Sequence, residues 1–215
     1  MSFVKNQNQS VKAFRSFLCK QNKTEYGIAF QDNPQRKGYT TGEELRNMFA
    51  RKNRWNVSDD CGASKHAYLL EYIVIKRQMI NGMTAHGNQL EEEIKFYLAH
   101  KNDEYSDVIC PILRYGLHRG DRVESTEEKY FNQTYIVAQK AVYIANALKS
   151  CEKAEELNKQ YNYYNGEDAY TRYNKLEKFA HHFHMWDVLR NSGNCGVIFD
   201  YQQNCYKAVC IDYAL

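Results

Sequence analysis

The chain has little of several features that would place it in a special class of protein. Only two prolines occur in 215 residues, and there is no internal repeat and no low-complexity linker. No apolar run approaches the roughly 18 residues that a membrane span needs, and the polar start MSFVKNQNQS lacks the apolar core of a signal peptide. These absences predict a protein without membrane association and, by default, a cytoplasmic location (the host cytoplasm if the protein is viral).

Charge and cysteine usage exclude further classes. A net charge of +3 is small and evenly spread, so nucleic acid is an unlikely partner. The seven cysteines are an odd number without framework spacing, which predicts free and mostly buried thiols in a reducing compartment. Hydrophobic residues at 43% and charged residues at 26% are typical of an ordinary globular protein. The 18 tyrosines, with many Asn and Lys, are typical of an AT-rich genome such as that of a phage.

The first part of the chain predicts helices. Residues 10–21 carry a helical stripe of Val11, Phe14, Phe17 and Leu18 after a serine cap, and residues 40–52 follow Thr40 and Thr41 with acids in a first turn. We expect these two segments to form an N-terminal helical extension over residues 1–57.

The pattern changes near Asp59. Two strands are predicted within residues 59–78, a helix over 88–101, and strands near 112–115 and over 131–141. Two helical patterns follow, which meet at Asn165 and Gly166 and together cover 141–186. The chain then closes with strands Cys195–Phe199 and Tyr206–Ile211, joined by the turn DYQQN. This order predicts an α+β fold.

Several short stretches carry residues suited to phosphate and metal chemistry. GASKHAYLL (62–70) has small residues at a predicted turn, and YIVIK (72–76) ends a strand with Lys76. The next helix carries three acids, of which Glu93 lies one turn before Tyr97 on the predicted inner face, with Glu92 as the second choice. SGNCGVIF supplies Asn194 before a strand, and AVCIDYA places Asp212 after four apolar residues.

In motif order and chemistry, residues 58–213 resemble the protein-kinase-like fold, most closely the minimal kinase-like proteins of phage and bacteria. The resemblance implies a two-lobed protein. Residues 58–140 would form an N-lobe with a small antiparallel sheet and the helix 88–101, and residues 141–215 a truncated, helical C-lobe with a terminal β-hairpin.

The resemblance implies an ATP site. Gly62 and Ser64 stand where the family has its glycine-rich loop, and Lys76 stands where a strand-end lysine contacts the phosphates and pairs with a helix carboxylate, here Glu93. Backbone from Ala138 to Lys140 would bind adenine. The residues themselves leave plainer alternatives open: a hairpin turn at Gly62, a solvent-exposed Lys76, and glutamates that only favour the start of a helix.

The resemblance also implies a Mg²⁺ site and a catalytic base. Asn194 and Asp212 would hold the metal, because an antiparallel hairpin brings them side by side and Mg²⁺ prefers oxygen ligands. Asp187 would be the base, although seven positions separate it from Asn194 where the family has five, and Met185 and Trp186 replace the usual His-Arg. A solvated strand end is the alternative for Asp212.

Two functions follow: a kinase-like phosphotransferase that uses ATP and Mg²⁺, or an inactive kinase-like (pseudokinase) module that engages a host or partner protein. Only three residues follow Asp212, so the family's activation segment and later helices are absent from this sequence. We therefore expect a protein partner or a second copy to cover the helices of 141–185, with the Tyr-rich run 161–173 as anchors.

A zinc site is the competing interpretation of the segment HHFHMW, where His181 and His184 lie about one turn apart. Three later cysteines could add ligands, but their spacing is not that of paired zinc ligands, and they fit better as small hydrophobic residues of strands: Cys195, Cys205 and Cys210.

Overall fold

The computed structural model describes residues 58–61, 65–70, 73–79, 89–116, 131–161, 167–200 and 203–213. The predicted helices 10–21 and 40–52, Gly62 and Ser64 lie outside these residues. The chain forms two compact units, of which the second comprises 89–113 and 138–215. The predicted division into lobes 58–140 and 141–215 stays a prediction.

The described residues form an α+β structure with two small antiparallel sheets, as the sequence predicts at this level. The larger sheet has five strands in the order β1-β2-β3-β5-β4. In chain order these strands are β1 (Ser58–Cys61), β2 (Lys65–Leu69), β3 (Ile73–Met79), β4 (Ile112–Gly116) and β5 (Phe131–Gln139).

Burial alternates from residue to residue over 73–77 of strand β3, and this alternation shows on which side of the sheet each residue lies. Ile73, Ile75 and Arg77 are fully buried, whereas Val74 and Lys76 between them are only half-buried. Since successive side chains of a strand point to opposite faces, Lys76 lies on the face opposite Ile73 and Ile75. Strand β1, which the sequence patterns did not indicate, pairs antiparallel with β2.

The second unit contains four described helices and a three-stranded sheet in the order β6-β7-β8. The helices are α1 (Gln89–His100), α2 (Ala147–Tyr161), α3 (Ala169–His182) and α4 (Asp187–Arg190). The strands are β6 (Tyr143–Ala145), β7 (Cys195–Asp200) and β8 (Cys205–Cys210). No helix among the described residues is long and apolar enough to cross a membrane.

The helical prediction for residues 141–161 is wrong at its start. Tyr143–Ala145 is strand β6, which pairs antiparallel with Val197–Cys195 of β7. The helix begins only after Asn146, whose side-chain oxygen accepts a hydrogen bond from the N–H of Lys149 at 3.0 Å. An Asn in this position satisfies a free N–H of the first turn and so marks the start of a helix. The β-branched and aromatic residues before it favour an extended chain.

The spacing of apolar residues predicts a buried face of Leu90, Ile94, Tyr97 and Leu98 on helix α1, and the structure buries a different face. Leu90 and Ile94 are buried as expected, but Leu98 is exposed and Phe96 is buried in its place. The Phe96 ring packs edge-to-face against Phe183, with 4.8 Å between ring centroids, and lies near Phe179 and Tyr213. Helix α1 therefore packs within the second unit through an aromatic cluster.

The outer edge of β8 is covered by side chains and a loop. Both backbone groups of Tyr206 pair with the side-chain amide of Asn158 on α2, at 2.7 and 2.8 Å. The carbonyl of Ala208 accepts from Nε of Arg172 at 2.8 Å, and Cys210 bonds the backbone of residues 108 and 110. Unpaired backbone N–H and C=O groups at the edge of a sheet can pair with other chains. These contacts therefore protect the outer edge of β8 from such pairing.

Arg172 links three parts of the second unit. Its guanidinium is 4% exposed and donates to the carboxylate of Asp107 at 2.7 Å. Burial alone would raise the pKa of Asp107, but the positive charges of Arg172 and Lys175 hold that pKa below its usual range. The network thereby ties the loop after α1 to α3 and to strand β8.

Candidate functional site

A cavity of about 380 Å³ lies in the second unit. Three of the residues that the sequence singled out line it: Asp187, Asn194 and Asp212. Three of its lining residues are buried, Met185, Val188 and Tyr213, and the other described residues that line it are Gln89, His184 and Trp186. The predicted catalytic base and the two predicted metal ligands therefore share one concave site.

The hairpin of β7 and β8 places Asn194 and Asp212 beside each other, as the sequence predicted. Cys195 and Cys210 are directly opposite in the antiparallel register. Beyond this pair, the backbone carbonyl of Asn194 accepts hydrogen bonds from the N–H groups of Ile211 at 2.8 Å and of Asp212 at 3.4 Å. Backbone hydrogen bonds thus fix the positions from which the side chains of Asn194 and Asp212 extend.

Tyr213 anchors the chain directly after Asp212. Its side chain is 1% exposed, and its hydroxyl donates to the carbonyl of Cys110 at 3.1 Å. Burial, and next the negative charge of Glu93, raise the pKa of this phenol well above its usual value. The burial of Tyr213 and its hydrogen bond thus fix the chain directly after Asp212, which lines the cavity.

The turn after α3 presents Asp187. The helix ends where the N–H of Met185 reaches back to the carbonyl of Ala180 at 2.8 Å, with His184 between them at a φ of 57°. This left-handed residue closes the helix end in the manner usually left to Gly or Asn. Asp187 then begins the one-turn helix α4 and is exposed, so its carboxylate is accessible in the cavity wall.

The sequence patterns do not indicate Gln89, His184 and Trp186 as residues of this site. Gln89 is the first residue of α1, and the other two lie in the turn between α3 and α4. The only available signal was position, because Trp186 directly precedes Asp187. Neither their types nor their spacing match a known motif, so tertiary structure alone brings them to the cavity.

Glu93 is the inward carboxylate of the three on α1. It is 1% exposed, whereas Glu92 is exposed and Glu91 half-buried, and both of these pair with Lys95. Burial is the main cause of the raised pKa values of Tyr213 and Cys210, and the charge of Glu93 raises both further, so Glu93 lies near the end of β8. The choice of Glu93 as the inward residue agrees with this burial, and its pairing with Lys76 stays a prediction.

The other predicted nucleotide contacts lie elsewhere. Lys76 is on β3, in the first unit. Ala138 is buried near the end of β5 and Lys140 follows that strand, while Gln139 between them donates from its side chain to the carbonyl of Phe199 at 3.0 Å. Neither Ala138 nor Lys140 lines the cavity. Their roles stay predictions.

The chemistry of the cavity fits a magnesium ion that takes most of its ligands from phosphate groups and water. The described part of the chain has no group of three or more His, Cys, Asp or Glu that could hold a metal by itself. The interpretation of the histidines as a zinc site therefore has no support, since structural zinc takes four protein ligands. Mg²⁺ needs only one or two carboxylates when phosphates and water complete its shell, and Asp212 with Asn194 offers such oxygens.

Comparison with other proteins gives no assignment to a family. No protein-family model, no curated protein and no solved structure matches the chain.

Proposed function

We propose that this protein binds a nucleoside triphosphate with Mg²⁺ and transfers the terminal phosphoryl group to an acceptor, as its kinase-like resemblance implies. One observation carries the proposal: Asp187, Asn194 and Asp212, chosen from their positions in the sequence, line a single cavity. Backbone hydrogen bonds of the hairpin hold Asn194 and Asp212 beside each other.

Each of the three side chains has a distinct part in this proposal. The carboxylate of Asp212 and the amide oxygen of Asn194 hold the metal, which when bound neutralises phosphate charge. Asp187 accepts the proton of the acceptor hydroxyl, a role that requires an exposed carboxylate in reach of the acceptor. Val188 and Tyr213, both buried, line the cavity with these side chains. Phosphoryl transfer asks little more of a protein than positioning and charge neutralisation.

A thermal-shift titration tests nucleotide binding. ATP with Mg²⁺ should raise the unfolding temperature, because a ligand that binds only the folded state adds about 2.7 kcal/mol at a hundredfold excess over Kd. For a chain of 215 residues this corresponds to a shift of roughly 5–10 °C. ATP with EDTA is the matched control and should give a clearly smaller shift. No shift at millimolar ATP with Mg²⁺ would contradict the proposal.

An inactive interaction module is the second candidate, and exposed apolar side chains favour it. Val142, Ile144 and Leu148 are about half exposed in the segment that leads from β6 into α2, and Tyr170 on α3 is 73% exposed. Clustered exposed apolar residues often mark contact surfaces. Nucleotide binding without phosphoryl transfer, together with a dimer in light scattering that Tyr170→Ala weakens, would support this candidate over the enzyme.

A further inference from the structure

The cavity has an acidic wall. Two of its described lining residues, Asp187 and Asp212, carry carboxylates, His184 is the one basic side chain among them, and none is Lys or Arg. A concave site with one sign of charge concentrates ions of the opposite sign. If Asp212 is engaged by the metal, Asp187 still leaves the remaining wall negative. The acceptor that fits such a wall is a cation.

Trp186 supplies an aromatic surface in the same cavity. It directly precedes Asp187, lines the cavity and is 41% exposed. The ring of His181 packs edge-to-face against the indole, with 4.2 Å between centroids and an interplanar angle of 81°. This contact restricts the indole while leaving part of it exposed. Tryptophan is the side chain whose ring face attracts ammonium groups most strongly.

We propose that the cavity binds a small cationic acceptor that carries a hydroxyl group, of the amino-alcohol class. The ammonium group lies against Trp186 in the field of the carboxylates. This inference rests on the proposed function, for which it names the class of acceptor.

The transfer step balances with the nucleoside triphosphate as the second substrate. The acceptor oxygen forms a bond to the terminal phosphorus, while the bond from that phosphorus to the bridging oxygen breaks. The bridging oxygen leaves on the nucleoside diphosphate. The hydroxyl proton passes to the carboxylate of Asp187, so the products are a phosphorylated amino alcohol and the diphosphate.

A pair of isosteric probes separates charge from shape. Choline carries a quaternary ammonium, and 3,3-dimethyl-1-butanol replaces its nitrogen with carbon and is neutral. The chain has two tryptophans, so in a Trp55→Phe variant Trp186 is the only one left. In that variant we expect choline to quench the fluorescence with an apparent Kd about tenfold lower than that of the neutral probe, from cation–π and carboxylate attraction together. Equal affinity of the two probes, or no quenching by either, would overturn the inference.

Three variants locate the preference, each measured by thermal shift against both probes. Trp186→Phe should keep part of the preference for choline, since a phenyl ring still attracts cations, and Trp186→Leu should lower it to about twofold or less. Asp187→Asn should reduce it severalfold, and the preference should fall with added salt. If Trp186→Leu folds and keeps the full preference, the assignment of the cation to this wall is wrong. Trp186→Phe supplies the same test if the Leu variant fails to fold.

The test of the cationic acceptor can fail or succeed independently of the test of nucleotide binding. A preference for choline without stabilisation by ATP and Mg²⁺ would retain a cation site and reject the phosphotransferase. Stabilisation by ATP and Mg²⁺ without the preference would reject only the acceptor class. Transfer of radiolabelled phosphate from ATP to choline, but not to the neutral alcohol, would support both.

Discussion

The backbone carbonyl of Asn194 accepts a hydrogen bond from the N–H of Asp212, at 3.4 Å, and a shorter one from Ile211 at 2.8 Å. The residue before β7 and the residue beyond β8 are therefore fixed to each other without the use of either side chain. Both side chains begin at the same end of the hairpin and line the same cavity. Side-chain chemistry at this site can thus be changed while the hairpin is kept.

This arrangement predicts that Asp212→Asn will lose the Mg²⁺-dependent part of ATP stabilisation and keep the fold. The amide has the shape of the carboxylate but lacks its charge, so it binds Mg²⁺ poorly. Asn194→Ala should weaken the same part by a smaller amount. Thermal shifts with ATP and either Mg²⁺ or EDTA measure the effect. Glu152→Gln, which removes an exposed carboxylate from α2, is the control and should behave as the parent protein.

Gly196 is predicted to tolerate no side chain. A Cβ atom at this position would lie 2.8 Å from the Cβ of Ala141 and 3.1 Å from the carbonyl oxygen of Tyr143. Gly196→Ala should therefore force β6 from β7 and cost about 1–3 kcal/mol of unfolding free energy. Gly193→Ala is the matched control, because its Cβ would meet no atom within 4 Å. Urea unfolding of both variants decides the matter, and equal stabilities would contradict the close approach.

Asn158 is predicted to be a main support of strand β8. Its amide donates to the carbonyl of Tyr206 at 2.8 Å and accepts from the N–H of that residue at 2.7 Å, in a buried position. Asn158→Ala would leave both backbone groups buried and unpaired, so we expect a loss of about 2–4 kcal/mol in urea unfolding. Glu152→Ala, exposed on the same helix, should change stability by less than about 0.5 kcal/mol. Similar midpoints for the two variants would show that water replaces the amide.

The ion pair of Asp107 predicts a dependence of stability on pH. Because the pKa of Asp107 is lower in the folded protein than in the unfolded chain, the pair adds stability above about pH 4. That contribution is lost as the pH falls through the folded-state value. Asp107→Asn should therefore flatten the fall in unfolding free energy as the pH drops below about 4. If the dependence of the unfolding free energy on pH stays unchanged, other carboxylates cause the loss of stability in acid.

Two buried thiols are predicted to be unreactive in the native protein. Burial raises the pKa values of Cys151 and Cys195 to about 12. The thiolate is the reactive form, so its fraction at neutral pH is roughly a thousandfold lower than for a free cysteine. Iodoacetamide followed by peptide mapping should modify neither residue in buffer and both in concentrated urea. Fast labelling of the native protein would mean that this part of the core opens readily.

The sequence predicted the elements with strong local signals. The strands of the terminal hairpin and helix 88–101 agree with the structure within one residue, whereas α3 begins three residues after and ends four residues before the predicted bounds 166–186. Asp168 marks its start, since the carboxylate of Asp168 accepts from the N–H of Thr171 at 2.7 Å and caps α3. Asn146 gives the same capping signal for α2, and the residues directly before it form β6.

The sequence could not decide which face of α1 is buried. Its apolar residues are compatible with two overlapping stripes, one through Leu98 and one through Phe96. The second is buried because an aromatic cluster on α3 and Tyr213 stands opposite Phe96. Such a choice depends on the partner surface, which lies about 80–120 positions away in the chain. Periodicity alone contains no information about that partner.

The sequence by itself determined the pairing of Asn194 with Asp212, because the length of a short turn fixes the register of an antiparallel hairpin. Only the tertiary structure decided that Asp187, Gln89, His184 and Trp186 share a cavity with them. Their meeting depends on how the ends of α1 and α3 pack against the hairpin. The physical reason is range: register is set by neighbours in the chain, whereas a cavity is set by contacts between elements that are distant in sequence.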